Sequence, residues 1–157
     1  MAFKIRLAQP QDKDDILSVI QNTKAGWDKK YAKRSYDEYF SRNHNEDEVV
    51  YVGTLNNKIV GVIGYYLDKY DTPQYWLGWF YVTGREQGHG YGNKLFQYVI
   101  KELKKKDVKR LFVYTSTDKA YLDAIVFYLR NGFKLESVIR GYYGEEEDQI
   151  ILSKKIT

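Results

Sequence analysis

The chain has 157 residues, a length that suits one domain with a substantial core. Its 43% hydrophobic and 29% charged residues match a soluble globular protein, and no apolar run approaches the roughly 18 residues of a membrane span. The formal charge of +4, from 25 basic against 21 acidic residues, is too small an excess to argue for nucleic acid, and zero cysteines exclude disulfides, a thiolate nucleophile and thiolate metal sites.

Met1-Ala2-Phe3-Lys4-Ile5 enters a strand pattern directly, with no basic segment leading into an apolar one. A signal peptide is therefore not expected, and the cytoplasm is the default location. Ile5 and Leu7 alternate across residues 4–8, which predicts a first strand. Pro10 opens the next segment. Asp12 or Asp14 can serve the N-terminus of a helix that turns Ile16, Leu17, Val19 and Ile20 inward. Residues 27–34 are ambiguous, and a second helix is predicted over 35–40, with Ser35 as cap and Glu38 as its capping-box partner. His44-Asn45-Glu46-Asp47 reads as loop.

Strands over 49–55 and 58–67 are joined by Asn56-Asn57, a two-residue hairpin turn. Asp71-Thr72-Pro73 is a second turn before a strand over 75–82, whose run Trp76-Leu77-Gly78-Trp79-Phe80-Tyr81-Val82 reads as buried. Leu95, Phe96, Val99, Ile100 and Leu103 recur at helical spacing and predict a central helix over about 90–106. Lys101, Lys104, Lys105, Lys106, Lys109 and Arg110 gather where that helix ends, a placement the helix C-terminus favours without any nucleic acid. A short strand over 110–114 follows, then a helix over 121–131 that Gly132 terminates. An antiparallel pair over 134–139 and 149–153 closes the chain. Strands that first meander and later alternate with helices predict a three-layer α/β domain, with a mixed sheet and helices on both faces.

The segment Gln87-Gly88-His89-Gly90-Tyr91-Gly92 joins a strand to the central helix. A glycine-rich turn there presents successive backbone N–H groups, and the helix's own unpaired N–H groups follow, so phosphate oxygens can be held without a basic side chain. Gly90 and Gly92 would let a phosphate chain approach closely. Competing phosphate motifs fit poorly. Asn93-Lys94 follows Gly92 with no hydroxyl residue to hold magnesium, and the spacing G-x-G-x-G is not the dinucleotide G-x-G-x-x-G.

These residues resemble the signature of the GCN5-related N-acetyltransferases: Gln or Arg, two residues, Gly, one residue, then Gly or Ala. A second block, from Ala124-Ile125-Val126-Phe127-Tyr128 to Gly132-Phe133, is similar to the family's later helix. The resemblance implies a mixed, mostly antiparallel sheet with splayed central strands, and acetyl-coenzyme A in the V-shaped gap. It implies that the backbone of Gln87, Gly88, His89, Gly90, Tyr91, Gly92 and Asn93 binds the pyrophosphate. It further implies direct attack of a primary amine on the thioester, with the backbone around Phe80, Tyr81 and Val82 facing the thioester oxygen and Tyr128 as general acid.

Two positions depart from the family pattern. Relatives often carry an acid on the strand before the phosphate loop, where this chain has Gly78 and Trp79; the substitutes in sequence are Asp118, Glu145, Glu146, Glu147 and Asp148. Tyr121 stands where relatives often have Asn, leaving Ser116 or Asp118 to hold the pantetheine arm. The missing acid also admits a domain that binds an acyl-coenzyme A without catalysis. The acceptor is expected to be a small-molecule or peptide amine. The acidic segment from Gly141 to Asp148 reads as a hairpin loop that is either merely solvated or an attracting rim for a cationic amine. Sixteen tyrosines suit either a lined cleft or a subunit interface, such as that of a homodimer. His44 and His89, the only histidines, give no reason to expect a metal.

Overall fold

The computed structural model describes residues 2–23, 26–42, 47–69 and 72–156. The loop expected at 44–46, with His44, and Asp71 of the second turn lie outside them. Seven strands form one sheet in the order β1-β2-β3-β4-β5-β7-β6. Strands β1 (Phe3–Leu7), β2 (Glu48–Leu55), β3 (Lys58–Asp68) and β4 (Gln74–Val82) make an antiparallel meander. Strands β5 (Arg110–Ser116), β7 (Glu147–Lys155) and β6 (Lys134–Gly144) make a second antiparallel group, and β4 meets β5 in the parallel pair that joins the two.

Helices cover both faces because the strand residues alternate between two cores. Val50, Val52 and Val62 pack under α1 (Lys13–Gln21) and α2 (Gly26–Ser41), against Ile16, Val19, Ile20, Ala32 and Tyr36. Val49, Ile63, Leu77, Leu111 and Leu152 pack under α3 (Tyr91–Lys105), whose Leu95, Phe96, Val99, Ile100 and Leu103 form the buried stripe read from the sequence. Helix α4 (Leu122–Arg130) adds Tyr128 to the same core. In the β2–β3 hairpin, Asn56 and Asn57 have φ of 52° and 63°, the paired left-handed geometry of a tight two-residue turn. At the start of α1, buried Asp12 accepts from Arg6 Nη1 and Nη2 at 2.7 and 3.0 Å and from the Gln9 N–H at 2.7 Å. This pins the helix to β1.

Three expectations are corrected. The second helix is not a short one capped at Ser35, because α2 begins at Gly26 and Ser35 lies in its interior. Ala32 and Tyr36 carry its buried face. The pairs Lys33–Asp37 and Arg34–Glu38 link successive turns, so Glu38 faces Arg34 instead of capping a terminus. The segment 141–148 is mostly strand: β6 runs to Gly144, β7 starts at Glu147, and only Glu145 and Glu146 turn. The register skips between Ile139 and Gly144, and that irregularity masks the strand alternation in sequence. The run ending in Val82 is also less buried than predicted, with Leu77 its one fully buried residue.

Candidate active site

That partial exposure has a local cause. Strands β4 and β5 are in register at Tyr75↔Leu111 and Trp76↔Phe112 and then part. At the same level β4 bulges: Gly64 faces Gly78 and Val62 faces Tyr81, so Trp79 and Phe80 together oppose Ile63. Trp79 takes φ of 49°, a strained value for a bulky residue, which marks the bulge as fixed by its surroundings. The β5 side of residues 80–82 therefore has no strand partner among the described residues. A cleft of about 680 Å³ opens between the parted strands. Phe80, Gln87, Gly92, Ala124, Phe127 and Tyr128 line it toward α3 and α4; Tyr31, Ser35, Glu48, Tyr66, Trp79 and Tyr114 line it toward α1 and α2.

The glycine-rich loop borders this cleft. Gly84–Glu86 forms a single 3-10 turn, Gln87 is extended, and Gly88 and Gly90 take φ of 82° and 81°. Both positive values favour glycine, and a Cβ at either position would have nothing within 4 Å, so the space outside the turn is open. Gly92 is ordinary by comparison, since a Cβ there would meet only Phe80 and Val82 at 3.7–3.9 Å. Of the two glycines singled out in the sequence, Gly90 but not Gly92 has the positive φ that favours glycine, and Gly88 shares it. Gly90 caps α3, its carbonyl accepts from the Lys94 N–H at 3.1 Å, and no side chain caps the helix. The N–H groups of Tyr91, Gly92 and Asn93 precede that first helical bond, so they lack intrahelical acceptors and suit an anion.

Gln87 ties the loop to β4 through Nε2, which donates to the Val82 carbonyl at 2.9 Å. The His89 ring lies 3.2 Å from the Glu86 carbonyl through Nδ1 and stacks on Tyr91, which stacks in turn on Phe3 of β1. The loop is thus braced from two sides before any ligand arrives.

Tyr128 is buried on α4, lines the cleft, and packs against Phe127 and Phe133. Ser116 and Asp118 lie past the end of β5 and are spent on the turn: Ser116 Oγ accepts from the Asp118 N–H at 3.0 Å, and Asp118 Oδ1 accepts from the Ala120 N–H at 2.9 Å. Neither lines the cleft, whereas Thr115, Ala120 and Tyr121 beside them do. Glu145, Glu146, Glu147 and Asp148 are also absent from the lining. Asp148 Oδ1 accepts from the Gly141 N–H at 2.9 Å, closing the β6–β7 hairpin.

The carboxylates that do line the cleft are Glu48 and Asp123, which sequence reasoning missed. Asp123 sits in the first turn of α4, where an acid suits the helix N-terminus. Glu48 opens β2 opposite Tyr66, and Arg42 reaches its Oε2 at 3.2 Å. Burial raises the Glu48 carboxyl above the usual range, while the Arg42 guanidinium acts against that rise. Burial likewise pushes up the neighbouring Tyr66 phenol and the fully buried Tyr36 phenol. An acid directly before Val49-Val50 was the available signal, but its placement depends on pairing with a strand 18 residues away.

No curated protein sequence matches the chain significantly. Solved structures do match over nearly its full length. A GNAT-family chain from Desulfovibrio desulfuricans is 24% identical with a TM-score of 0.89, covering 99% of this chain and 100% of that one. The ribosomal-protein-S18-alanine N-acetyltransferase of Escherichia coli is 23% identical with a TM-score of 0.78, covering 99% and 95%. The PaiA N-acetyltransferase of Thermoplasma acidophilum, solved with coenzyme A, is 18% identical with a TM-score of 0.79, covering 99% of each. These likenesses establish a shared fold. The sequence profile of the acetyltransferase (GNAT) family matches residues 16–133, a span that includes the glycine-rich loop, the cleft and Tyr128, and the chain belongs to that family.

Proposed function

We propose that the protein transfers an acetyl group from acetyl-coenzyme A to a primary amine by direct attack. The observation that carries this reading is the coincidence of three features at one opening: the parted strands, the uncapped N-terminus of α3, and Tyr128 in the wall. The N–H groups of the loop and of the first turn of α3 hold the pyrophosphate. The thioester then lies along β4 past the bulge, where an N–H among residues 80–82 can meet the developing oxyanion. The amine nitrogen forms a bond to the carbonyl carbon and the C–S bond breaks. The thiolate takes the phenolic proton of Tyr128, which solvent restores, and the amine's own proton leaves to water. A phenol with pKa about 10 is protonated at neutral pH and suits that donor role.

The test is thiol release from acetyl-coenzyme A across a panel of small amines, peptides and aminoglycosides. Turnover with at least one amine, lost on heat denaturation, is the expected result. Calorimetric binding of acetyl-coenzyme A with no turnover on any amine would favour a non-catalytic binding domain instead.

A further inference from the structure

The half of the cleft toward α2 differs in character from the half toward α3. Its walls are aromatic: Tyr66 stacks on Trp76 at 6.5 Å between centroids, and Trp76 lies 6.1 Å from Tyr114. Trp79, held out by the bulge, packs on Tyr36 at 5.2 Å. Tyr31 and Ser35 of α2 line the same half. Within this aromatic half the charged side chain is Glu48, and the whole lining contains no lysine, arginine or histidine among the described residues. Tyr31 and Tyr114 are exposed at its mouth, while the wall behind is shut off from water. The Tyr36 hydroxyl and the Trp76 indole N–H are buried without a hydrogen-bond partner among the described residues.

We propose that this half of the cleft binds the acceptor as a small monocationic primary amine on an aromatic or other apolar body, with the Glu48 carboxylate holding the ammonium until it gives one proton to water and attacks as the neutral amine. The proposal rests on the reading of the cleft as an acetyl-transfer site and specifies its acceptor. Arg42 reaches only Oε2 of Glu48, which leaves the other carboxylate oxygen for a single further cation among the aromatic rings. A polyamine or an aminoglycoside would leave further ammonium groups against Tyr66, Trp79 and Tyr114, where this half of the cleft offers no second carboxylate, at the cost of desolvating them. Aromatic faces also attract the single cation that does have a partner. An extended peptide would bring polar backbone groups against Tyr66, Trp79 and Tyr114, which offer few hydrogen-bond partners for them. The acids at the β6–β7 turn take no part, since they lie outside the lining.

The experiment is calorimetric titration of 2-phenylethylamine into the protein with and without saturating coenzyme A, in parallel with spermidine, an aminoglycoside and a short peptide with N-terminal Phe. The uncharged analogue 2-phenylethanol serves as the control for apolar packing. Saturable binding of 2-phenylethylamine, tighter than that of the polycations and the peptide, is expected. Glu48→Gln keeps the shape and should weaken it by about tenfold while leaving 2-phenylethanol unchanged. Removing the competing guanidinium in Arg42→Ala should act oppositely and tighten it by about two- to fivefold. Equal affinity in wild type and Glu48→Gln, no saturable binding by wild type, or preference for a polycation or the peptide would each overturn the proposal. Failure of coenzyme A to bind, with Glu48-dependent amine binding retained, would instead remove the acetyl-transfer reading and leave the amine pocket standing.

Discussion

Gly90 offers the cleanest separation of backbone conformation from ligand binding. Its φ of 81° and ψ of 5° lie in the left-handed region, yet a Cβ there would meet nothing within 4 Å. Gly90→Ala should therefore cost stability through dihedral strain alone, about 1–2 kcal/mol. For a chain of this size that is a fall in Tm of about 2–8 °C. Asn tolerates the left-handed region, so Gly90→Asn should recover most of that loss. Cofactor affinity should behave differently. The open space beside Gly90 is where the pyrophosphate would approach the N–H groups of Tyr91, Gly92 and Asn93, and either side chain intrudes on it. Losing one charge-assisted hydrogen bond at about 1.5–3 kcal/mol predicts at least roughly tenfold weaker binding in both variants. Thermal denaturation and calorimetric titration of acetyl-coenzyme A read the two effects independently. Wild-type affinity in a fully stable Gly90→Asn protein would refute the assignment of the loop to phosphate.

Three further outcomes follow from the same geometry. Gln87→Ala removes the 2.9 Å bond to the Val82 carbonyl, and as a neutral, exposed bond it should weaken acetyl-coenzyme A by about 0.5–1.5 kcal/mol, less than either Gly90 variant by calorimetry. Tyr128→Phe keeps the buried ring and deletes the acid, so turnover in the thiol-release assay should drop at least about tenfold with cofactor affinity nearly unchanged; unaltered turnover would remove Tyr128 as the proton donor. Asp12→Ala should destabilise the fold by about 1–2 kcal/mol in urea titration, a figure discounted because Arg6 is half-exposed. The Arg6 hydrogen bonds hold the Asp12 carboxyl below its ordinary value. Its stabilisation is therefore complete above the unfolded carboxylate pKa of about 3.9 and fades as pH falls through the lower folded value. The wild-type and Asp12→Ala denaturation midpoints should accordingly converge in strong acid.

What sequence could reveal divides along the range of the interactions involved. The Asn56-Asn57 turn, the stripe on α3 and the glycine positions of the loop before α3 are local, each set by dihedral preference or by spacing within one element. The stripe and the two-block motif were legible for that reason. The parting of β4 from β5 was accessible only through the family resemblance, because nothing local in either strand ends their register after Trp76↔Phe112. The bulge at Trp79 was not legible at all, since a tryptophan in left-handed geometry runs against its own preference and depends on packing over Tyr36. Ser35 misled because Ser-x-x-Glu has the same spelling inside a helix as at its start. The N-terminal half of α2 is polar enough to look undecided until Ala32 and Tyr36 find Val50 and Val52. Glu48 escaped notice because its environment comes from Tyr66, Arg42 and the α2 face, none adjacent to it in the chain. The acids at 145–148 drew attention through their sequence density, and the hairpin turns them away from the cleft.

Two of the chain's three tryptophans, Trp76 and Trp79, stand on either side of the point where the central strands part. This gives the protein an intrinsic optical reporter at the position where its chemistry is proposed to occur. Trp76 is enclosed by Tyr66, Phe112 and Tyr114, while Trp79 faces the cleft directly, so the two indoles sample different polarity. Filling the aromatic half should exclude water from Trp79 and shift its emission to shorter wavelength, whereas occupancy of the glycine-rich loop alone should leave it largely unmoved. Substituting Trp27 by phenylalanine confines the signal to this pair. Acceptor arrival could then be timed in a stopped-flow mixer without attaching a dye.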